Sequence, residues 1–285
     1  MKLTTAAAQM TSGLLDLAGN LQRADGLLRQ ARDAGAELVV LPELFNTGYG
    51  AQADFGPLGE SPEGPTLAYL RGRARRWNMY IAAGYVEREG RHLYNSIAFC
   101  QPDGGLRVYR KRHLVFWERF RFHPGRDPLV VKTPFGRVGF AVCADMIHRK
   151  VWRDYRDRVD LAVICSAWPE FADRATGKGH WLLGRVGPMC GDIPALAADD
   201  LGIPVVFANQ CGETDTRVPL LHVTIRDRFA GLSSICDGRH GTVRKAGLDP
   251  DLLIAPVTVH SRGVKSWHFT SPSAREAEYS VSASS

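Results

Sequence analysis

A repeated order of amphipathic segment and short apolar run is the feature that most constrains this fold. In residues 21–34, apolar side chains recur at helical spacing, and the buried-strand pattern ELVVLPE follows directly. The order returns three times: a basic helix near 66–77 before MYIAAGYVE, a charged helix near 149–157 before DLAVICSAW, and a helix near 191–201 before IPVVFANQ. Uninterrupted apolar runs are typical of strands covered on both faces. The pattern predicts a layered α/β domain.

Local signals set the expected ends of these elements. Asn20 is the predicted N-cap of the first helix and Gly35 its C-terminal stop. Two segments, NSIAFCQPDGGLRVYRK and LSSICDGRHGTVRKAG, have the pattern of β-hairpins. No linker divides residues 1–262, so we expect one domain there. The polar tail, residues 263–285, is expected to be extended or to take part in contacts between subunits.

Composition limits the classes of function. The chain has 285 residues, 45% apolar and 23% charged, and no apolar run approaches the length of a membrane span. Polar residues interrupt the N-terminal MKLTTAAAQMTSG, so no signal peptide is predicted and we expect a cytoplasmic protein. The net charge is +6, but basic segments such as RKVWRDYRDR also carry aspartates, which is typical of a solvated helix face. Neither a membrane nor a nucleic acid is a predicted partner.

The cysteines and histidines indicate no metal site. The six cysteines form no CxxC pair, and the histidines show no HxxxH or HxxH spacing. Free cysteine packs as a small apolar side chain, so most of the six are expected to be reduced and buried. A reactive role for any one of them needs support from other residues.

Three ionisable residues stand at strand ends, where reactive groups of open α/β folds are found. Glu43 ends LVVLPE, Lys111 ends LRVYRK and Cys143 follows VGFAV. Taken singly, they are explained as a loop acid, a member of a basic run and a core cysteine. Together they supply what a nucleophilic thiol requires, since the thiolate needs a base and a nearby cation.

The segments around these residues resemble the nitrilase superfamily of carbon–nitrogen hydrolases. LVVLPELFNTGY, YRKRHL and GRVGFAVCAD are similar to its glutamate, lysine and cysteine motifs, in the same order, and the resemblance covers roughly residues 1–260. It implies a four-layer α-β-β-α sandwich. It also implies that Glu43 is the catalytic base, Lys111 the stabilising cation and Cys143 the nucleophile. No metal or organic cofactor is implied.

The resemblance adds a second glutamate between the lysine and the cysteine. Glu118 is the only acid between Lys111 and Asp127, so it is the one candidate. The alternative is a surface acid paired with Arg119 or Arg121.

Further roles follow from the cysteine motif. The Ala144 N–H is the expected backbone donor to an oxyanion, while Asp145 is expected to fix the turn through backbone N–H groups. His113, beside the lysine motif, is expected to pack or to act indirectly.

Family members commonly form dimers or larger assemblies, so a homo-oligomer is expected.

The residues after the nucleophile depart from the relatives. DMIHRKVW lacks the Pro-Glu that many members carry, and Ile147 stands where relatives that hydrolyse N-carbamoyl amino acids have an arginine. Nitrilases typically have Trp-Glu after the cysteine, and here Ala-Asp follows. These differences favour an amidase-like member. The candidate substrate-binding residues are Tyr49, Trp117, His148 and Trp168.

The leading hypothesis is a hydrolase that cleaves a non-peptide C–N bond of a small amide through a thioester. Alternatives with the same chemistry are a nitrilase, an N-carbamoyl-amine hydrolase and an amide-forming acyltransferase. An alternative of another class is a non-catalytic binding protein with this fold. The sequence does not distinguish the substrate or the acceptor of the acyl group.

Overall fold

The structure is a computed structural model, and it describes residues 1–170, 189–218 and 223–260. The predicted tail, residues 263–285, lies outside the described residues. The described part contains two six-stranded sheets and a separate two-stranded hairpin.

The first sheet combines the N-terminal strands with the last described one. Its strands are β1 (Lys2–Gln9), β2 (Leu38–Val40), β3 (Tyr80–Glu89), β4 (His92–Cys100), β5 (Leu106–Arg110) and β14 (Asp251–Thr258). They lie in the order β14-β1-β2-β3-β4-β5. Strands β1, β2 and β3 are parallel, and the others pair antiparallel to their neighbours.

The second sheet is built from the following part of the chain. Its strands are β6 (Val130–Thr133), β7 (Gly136–Val142), β8 (Leu161–Ser166), β9 (Val205–Asn209), β12 (Ser234–Asp237) and β13 (Gly241–Lys245). They lie in the order β13-β12-β9-β8-β7-β6, with β7, β8 and β9 parallel. The separate hairpin consists of β10 (Cys211–Val218) and β11 (Val223–Ala230).

Helices cover the outer face of each sheet. Helices α1 (Leu17–Asp33) and α2 (Pro65–Trp77) share one apolar core with the first sheet. Helices α3 (Arg149–Tyr155) and α4 (Ile193–Leu201) pack into the core that contains the second sheet. The predicted four-layer α-β-β-α sandwich is confirmed.

The inner faces of the two sheets pack directly against each other. Successive side chains of a strand point to opposite faces, so Leu38 and Val40 join the core between the sheets while Val39 joins the core under α1 and α2. Phe99 of the first sheet meets Phe140 of the second at a ring-centroid distance of 5.1 Å. Burial on both sides explains why these strands lack a polar face.

The predicted start of the first helix is wrong. Helix α1 begins earlier, because the Asp16 carboxylate accepts a hydrogen bond at 3.0 Å from a backbone N–H of the first turn. Asn20 lies inside the helix, fully buried, and its amide donates to the Asn46 carbonyl at 2.8 Å. This bond ties α1 to the loop after β2. Gly35 has a φ of 76°, as expected at the helix stop.

The expectation for the cysteines is confirmed, since all six are buried and none forms a disulfide. Within the described ranges, no helix has the length and apolar character needed to cross a membrane.

Candidate active site

Glu43 lies just beyond β2, where the chain passes very close to β3. Gly84 makes this approach possible: a Cβ added there would stand 2.4 Å from Glu43 Cα. Backbone hydrogen bonds from Gly84 N to Pro42 O, at 3.1 Å, and from Phe45 N to Gly84 O, at 3.0 Å, hold the two segments together. These backbone contacts fix the position of the Glu43 backbone independently of the contacts that its side chain makes.

We expect Gly84→Ala to destabilise the protein by about 2 to 3 kcal/mol, because the nearest neighbours of the new methyl group are backbone atoms that must move. Urea unfolding measures the change in unfolding free energy. Gly72→Ala is the matched control, since nothing lies within 4 Å of the position inside α2 where the added Cβ would stand. Alanine in a helix interior should stabilise it by up to about 1 kcal/mol. Equal effects of the two substitutions would contradict the prediction.

Lys111 joins the two predicted glutamates into one buried group. Its Nζ lies 2.7 Å from Glu43 Oε1 and 2.8 Å from Glu118 Oε1, and all three side chains are fully buried. Burial disfavours the ammonium, but the Glu118 and Glu43 carboxylates raise the pKa of Lys111 overall. Burial raises the pKa of Glu118, and Lys111 opposes that shift. The alternative of Glu118 as a surface acid is wrong.

Asn95 completes this group, and the sequence reasoning gave it no role. Its Nδ2 donates to Glu43 Oε1 at 2.6 Å and to Glu118 Oε1 at 2.9 Å, and its carbonyl accepts from Lys111 N at 2.8 Å. Its Oδ1 is buried with no hydrogen-bond partner among the described residues. The neighbouring Ser96 side chain instead donates to Glu87 at 2.7 Å. Asn95 and Ser96 are adjacent polar residues, and only the pairing of their strand shows which of the two side chains reaches Glu43.

Cys143 occupies a strained position at the end of β7. It begins a 3-10 turn, Cys143–Ile147, with a φ of 44°, which is unusual for a residue with a side chain. Burial and the negative charge of Glu43 raise the pKa of its thiol, while Lys111 and Ser166 oppose the shift. The thiol therefore rests protonated at neutral pH. Glu43 Oε2 accepts from Ala167 N at 2.8 Å, directly after β8, and β8 pairs with β7, the strand that Cys143 follows, so the predicted residues come together between the two sheets.

Asp145 braces the cysteine turn in the way expected. Its Oδ2 accepts from Val142 N at 3.1 Å and from the Tyr109 hydroxyl at 2.8 Å. Its Oδ1 accepts from His113 N at 2.9 Å and lies 2.9 Å from His113 Nδ1. The carboxylate thus links the turn to the lysine motif. Ala144, between Cys143 and Asp145, is buried.

Two of the predicted pocket aromatics lie beside the buried charges. The Tyr49 ring centroid is 5.9 Å from Lys111 Nζ and 4.8 Å from the Trp117 ring. Burial and the Glu118 and Glu43 carboxylates hold the pKa of the Tyr49 hydroxyl well above its usual range. Trp168 is buried just after β8, where its backbone N–H donates to a side-chain oxygen at 2.8 Å.

His148 takes a different position from the other predicted pocket residues. Its ring stacks on His113 at a centroid distance of 3.7 Å, and His113 in turn contacts Asp145. Burial, followed by the nearby His113, lowers the pKa of His148. Ile147 and Arg149 are exposed, and Arg149 begins α3. The segment after Asp145, which differs from the relatives, therefore lies at the protein surface. It continues into α3, a helix that begins without a proline.

The fold and the site together define the class of protein. A four-layer sandwich carries a buried Glu–Lys–Glu group on one sheet and a strained cysteine at the end of a strand on the other. These are the features that the nitrilase superfamily resemblance implies, here found in one place.

Comparison with known proteins gives the particular family. The profile described as carbon-nitrogen hydrolase matches residues 4–262. The chain belongs to the carbon–nitrogen hydrolase family.

Individual relatives match over part of their length. A nitrilase from Pyrococcus abyssi is 40% identical over 144 residues, which cover 49% of this chain and 55% of the nitrilase. The omega-amidase of Bos taurus is 34% identical over 175 residues, which cover 58% of this chain and 62% of the omega-amidase. The chain thus spans less than two thirds of the length of these relatives.

Solved structures with lower sequence identity share the fold. A CN-hydrolase superfamily protein from Xanthomonas campestris has a TM-score of 0.73 at 23% identity, over 90% of both chains. An amidase from Nesterenkonia sp. has a TM-score of 0.73 at 21% identity, also over 90% of both chains.

Proposed function

We propose that this protein is a cysteine-dependent amidase that hydrolyses a small amide through a thioester. The observation that carries the proposal is the position of Lys111 Nζ, 2.7 and 2.8 Å from two fully buried carboxylates and close enough to act on the Cys143 thiol. Desolvation offsets much of the attraction within a buried ion group, so its presence is poorly explained by stability alone and is consistent with a catalytic role. The omega-amidase and nitrilase relatives support the same class of reaction.

The first chemical step is attack on the amide carbon. Glu43 takes the proton of the Cys143 thiol as the C–S bond forms, and the carbonyl electron pair moves to oxygen. The Lys111 ammonium and the Ala144 N–H stabilise this oxyanion. Preorganised donors of this kind contribute about 3 to 4 kcal/mol each to the rate. The proton transfer is needed because the thiol rests protonated in its buried position.

The remaining steps return the enzyme to its starting state. Glu43 passes its proton to the amide nitrogen as the C–N bond breaks, so ammonia or an amine leaves and a thioester remains. Water then loses a proton to Glu43 as its oxygen attacks the thioester. The C–S bond breaks, the sulfur regains the proton, and the carboxylic acid departs. One amide and one water give one acid and one amine.

Glu118 and Asn95 hold the other groups in place during this cycle. Glu118 accepts from Lys111 and from the Asn95 amide, and its second oxygen accepts from Val115 N at 2.8 Å. A carboxylate fixed by three donors keeps the ammonium directed toward the oxyanion. We also assign Glu118 the role of accepting a hydrogen bond from the substrate amide.

We expect Asn95→Leu to lower kcat/KM by about 10- to 100-fold, since hydrogen bonds to charged groups contribute about 1.5 to 3 kcal/mol each. Loss of the donor also removes a hydrogen bond from the ionised Glu118 carboxylate and raises the pKa of Glu118 further, so the acidic limb of the pH–kcat/KM curve should move to higher pH. Ser96→Ala is the control, because it removes a buried hydrogen bond on the same strand that does not reach Glu43. If the acidic limb of the pH–kcat/KM curve does not shift in Asn95→Leu, Asn95 has a purely structural role.

The alternatives differ in substrate or acceptor. Nitriles and N-carbamoyl amines could react with the same thiolate, and an amine in place of water would make an amide. Tyr49, Trp117 and Trp168 supply the apolar surface that favours an apolar acyl group. A binding protein without catalysis would have no use for the buried charges. A homo-oligomer and a cytoplasmic location stay predictions.

The proposal is tested by incubating the protein with aliphatic and aromatic amides, nitriles and N-carbamoyl compounds and measuring ammonia release. Mass spectrometry of the quenched reaction should detect an acyl group on the peptide that contains Cys143. Added hydroxylamine or amines should divert the acyl group in proportion to their concentration if transfer competes with hydrolysis. Absence of both turnover and acyl adduct across the whole panel would favour the binding-protein alternative.

A further inference from the structure

Ser166, the last residue of β8, is a buried polar residue to which the reaction steps above give no role. The residue is fully buried, and its Oγ forms no hydrogen bond with the described part of the chain. A buried hydroxyl without a partner disfavours folding, because it has given up its hydrogen bonds to water. Such groups are rare in native proteins, and a catalytic role is one reason for their presence.

The backbone around Ser166 is tied to the catalytic base. The Ser166 carbonyl accepts from Glu43 N at 3.3 Å and from Gln210 N at 3.0 Å. The next residue, Ala167, donates its backbone N–H to Glu43 Oε2 at 2.8 Å. None of these bonds involves the serine side chain. They therefore hold Ser166 in the active site independently of its hydroxyl, and a substitution of the side chain should leave them in place.

The register of the second sheet brings Ser166 beside the nucleophile. Strands β7 and β8 are parallel, and their last pair is Val142 with Cys165. Cys143 and Ser166 are the next residues along the two segments. Burial and the charge of Glu43 raise the pKa of the Cys143 thiol, and the Ser166 hydroxyl opposes this shift. The hydroxyl thus favours the ionised sulfur, as a hydrogen-bond donor does.

We propose that Ser166 is a further catalytic residue, whose hydroxyl donates a hydrogen bond to the Cys143 sulfur whenever the sulfur carries negative charge. The inference rests on the proposed amidase reaction and deepens it. Negative charge develops on the sulfur twice: when Glu43 takes the thiol proton, and when the C–S bond breaks after water has attacked the thioester. In both steps the hydroxyl keeps its proton, and no covalent bond to Ser166 forms or breaks.

The resting thiol explains why this donor has no partner before the reaction. A thiol sulfur is a weak acceptor, whereas hydrogen bonds to an ionised acceptor are roughly twice as strong as neutral ones. The donor is in place before the charge appears, so the site need not reorganise during the step. Lys111 has another task, since its Nζ contacts Glu43 and Glu118 and the proposed reaction directs it toward the oxyanion.

Alkylation of Cys143 by iodoacetamide tests this contact without amide turnover. Mass spectrometry of the peptide that contains Cys143 gives the rate at pH 8 and separates this thiol from the other cysteines. Ser166→Ala should lower the rate about 5- to 15-fold, because fewer thiols are ionised while each thiolate is more nucleophilic. The kcat/KM for amides should fall by a similar factor. The melting temperature should stay the same or rise, because an unpaired buried hydroxyl is removed.

Ser234→Ala is the matched control. Ser234 is another fully buried serine of the second sheet, and its hydroxyl accepts from the Cys236 thiol at 3.7 Å. This variant should leave the alkylation of Cys143 and the turnover unchanged. The proposal is overturned if Cys143 in Ser166→Ala is alkylated within twofold of the parent rate, or if slower alkylation comes with a lower melting temperature or also occurs in Ser234→Ala. If the parent chain turns over no amide, the amidase proposal fails, while the alkylation rates still decide whether Ser166 acts on the sulfur.

Discussion

Cys143→Ala is expected to abolish amide turnover, with a loss on the order of 10⁶-fold or to below detection, while the fold is retained. Removal of a nucleophile from a catalytic group that works as a unit has an effect of this size. The thiol contributes little to stability, because its strained backbone and the bracing by Asp145 do not depend on sulfur. Ammonia release measures turnover, and circular dichroism with urea unfolding measures the fold.

Cys165→Ala is the control for loss of a buried thiol. Cys165 lies directly beside Val142 on the neighbouring strand, and burial raises the pKa of its thiol as it does for Cys143. This variant should keep most of the turnover and the acyl adduct, at a cost of about 1 kcal/mol in stability. Turnover by Cys143→Ala within tenfold of the parent chain would refute the nucleophile assignment. Loss of the adduct in both variants would point to a general packing effect.

The local sequence is sufficient to place the charged residues at the ends of strands, but it does not show which of them contact each other. Reactive groups of α/β folds follow the carboxyl ends of parallel strands, so strand-end positions indicated where Glu43 and Cys143 lie. The contact between Lys111 and Glu43 joins residues 68 positions apart, and it depends on how β5 lies beside β4. The chemistry of a nucleophilic thiol makes their meeting a hypothesis, and the motif resemblance supports it.

The missed residues share one physical reason. Asn95 and Ser96 are adjacent polar residues in an apolar strand, and the sequence does not tell which face is buried against which partner. Asn20 is predicted at a helix start because asparagine is a common N-cap, but a contact from outside the helix, the Asn46 carbonyl, determines its position. In both cases tertiary hydrogen bonds override the local preference.

Lys111→Met is expected to abolish turnover and to lower the unfolding free energy by about 3 to 5 kcal/mol. Removing one partner of a buried ion group leaves the other charges uncompensated, and here two carboxylates lose their cation. Methionine keeps much of the lysine volume, so packing loss adds little. Urea unfolding and ammonia release measure the two effects.

The stability of Lys111→Met should also depend on pH with a definite sign. Burial raises the pKa of Glu118 even in the parent chain, and loss of the ammonium raises it further. The folded state then binds more protons than the unfolded state, so the unfolding free energy should rise as the pH falls from about 8 to 5. A stability that falls over this interval would contradict the assignment of Lys111 as the counter-charge.

The double variant Lys111→Met/Glu118→Gln separates stability from catalysis. The introduced glutamine would keep the shape of the glutamate side chain without its charge, so the double variant should recover about 1 to 3 kcal/mol of the loss and show a weaker pH dependence. Turnover should stay absent, because the oxyanion still lacks its cation. If turnover returned with stability, Lys111 would act only by holding Glu118. If neither returned, the Lys111–Glu43 contact would account for most of the stabilisation.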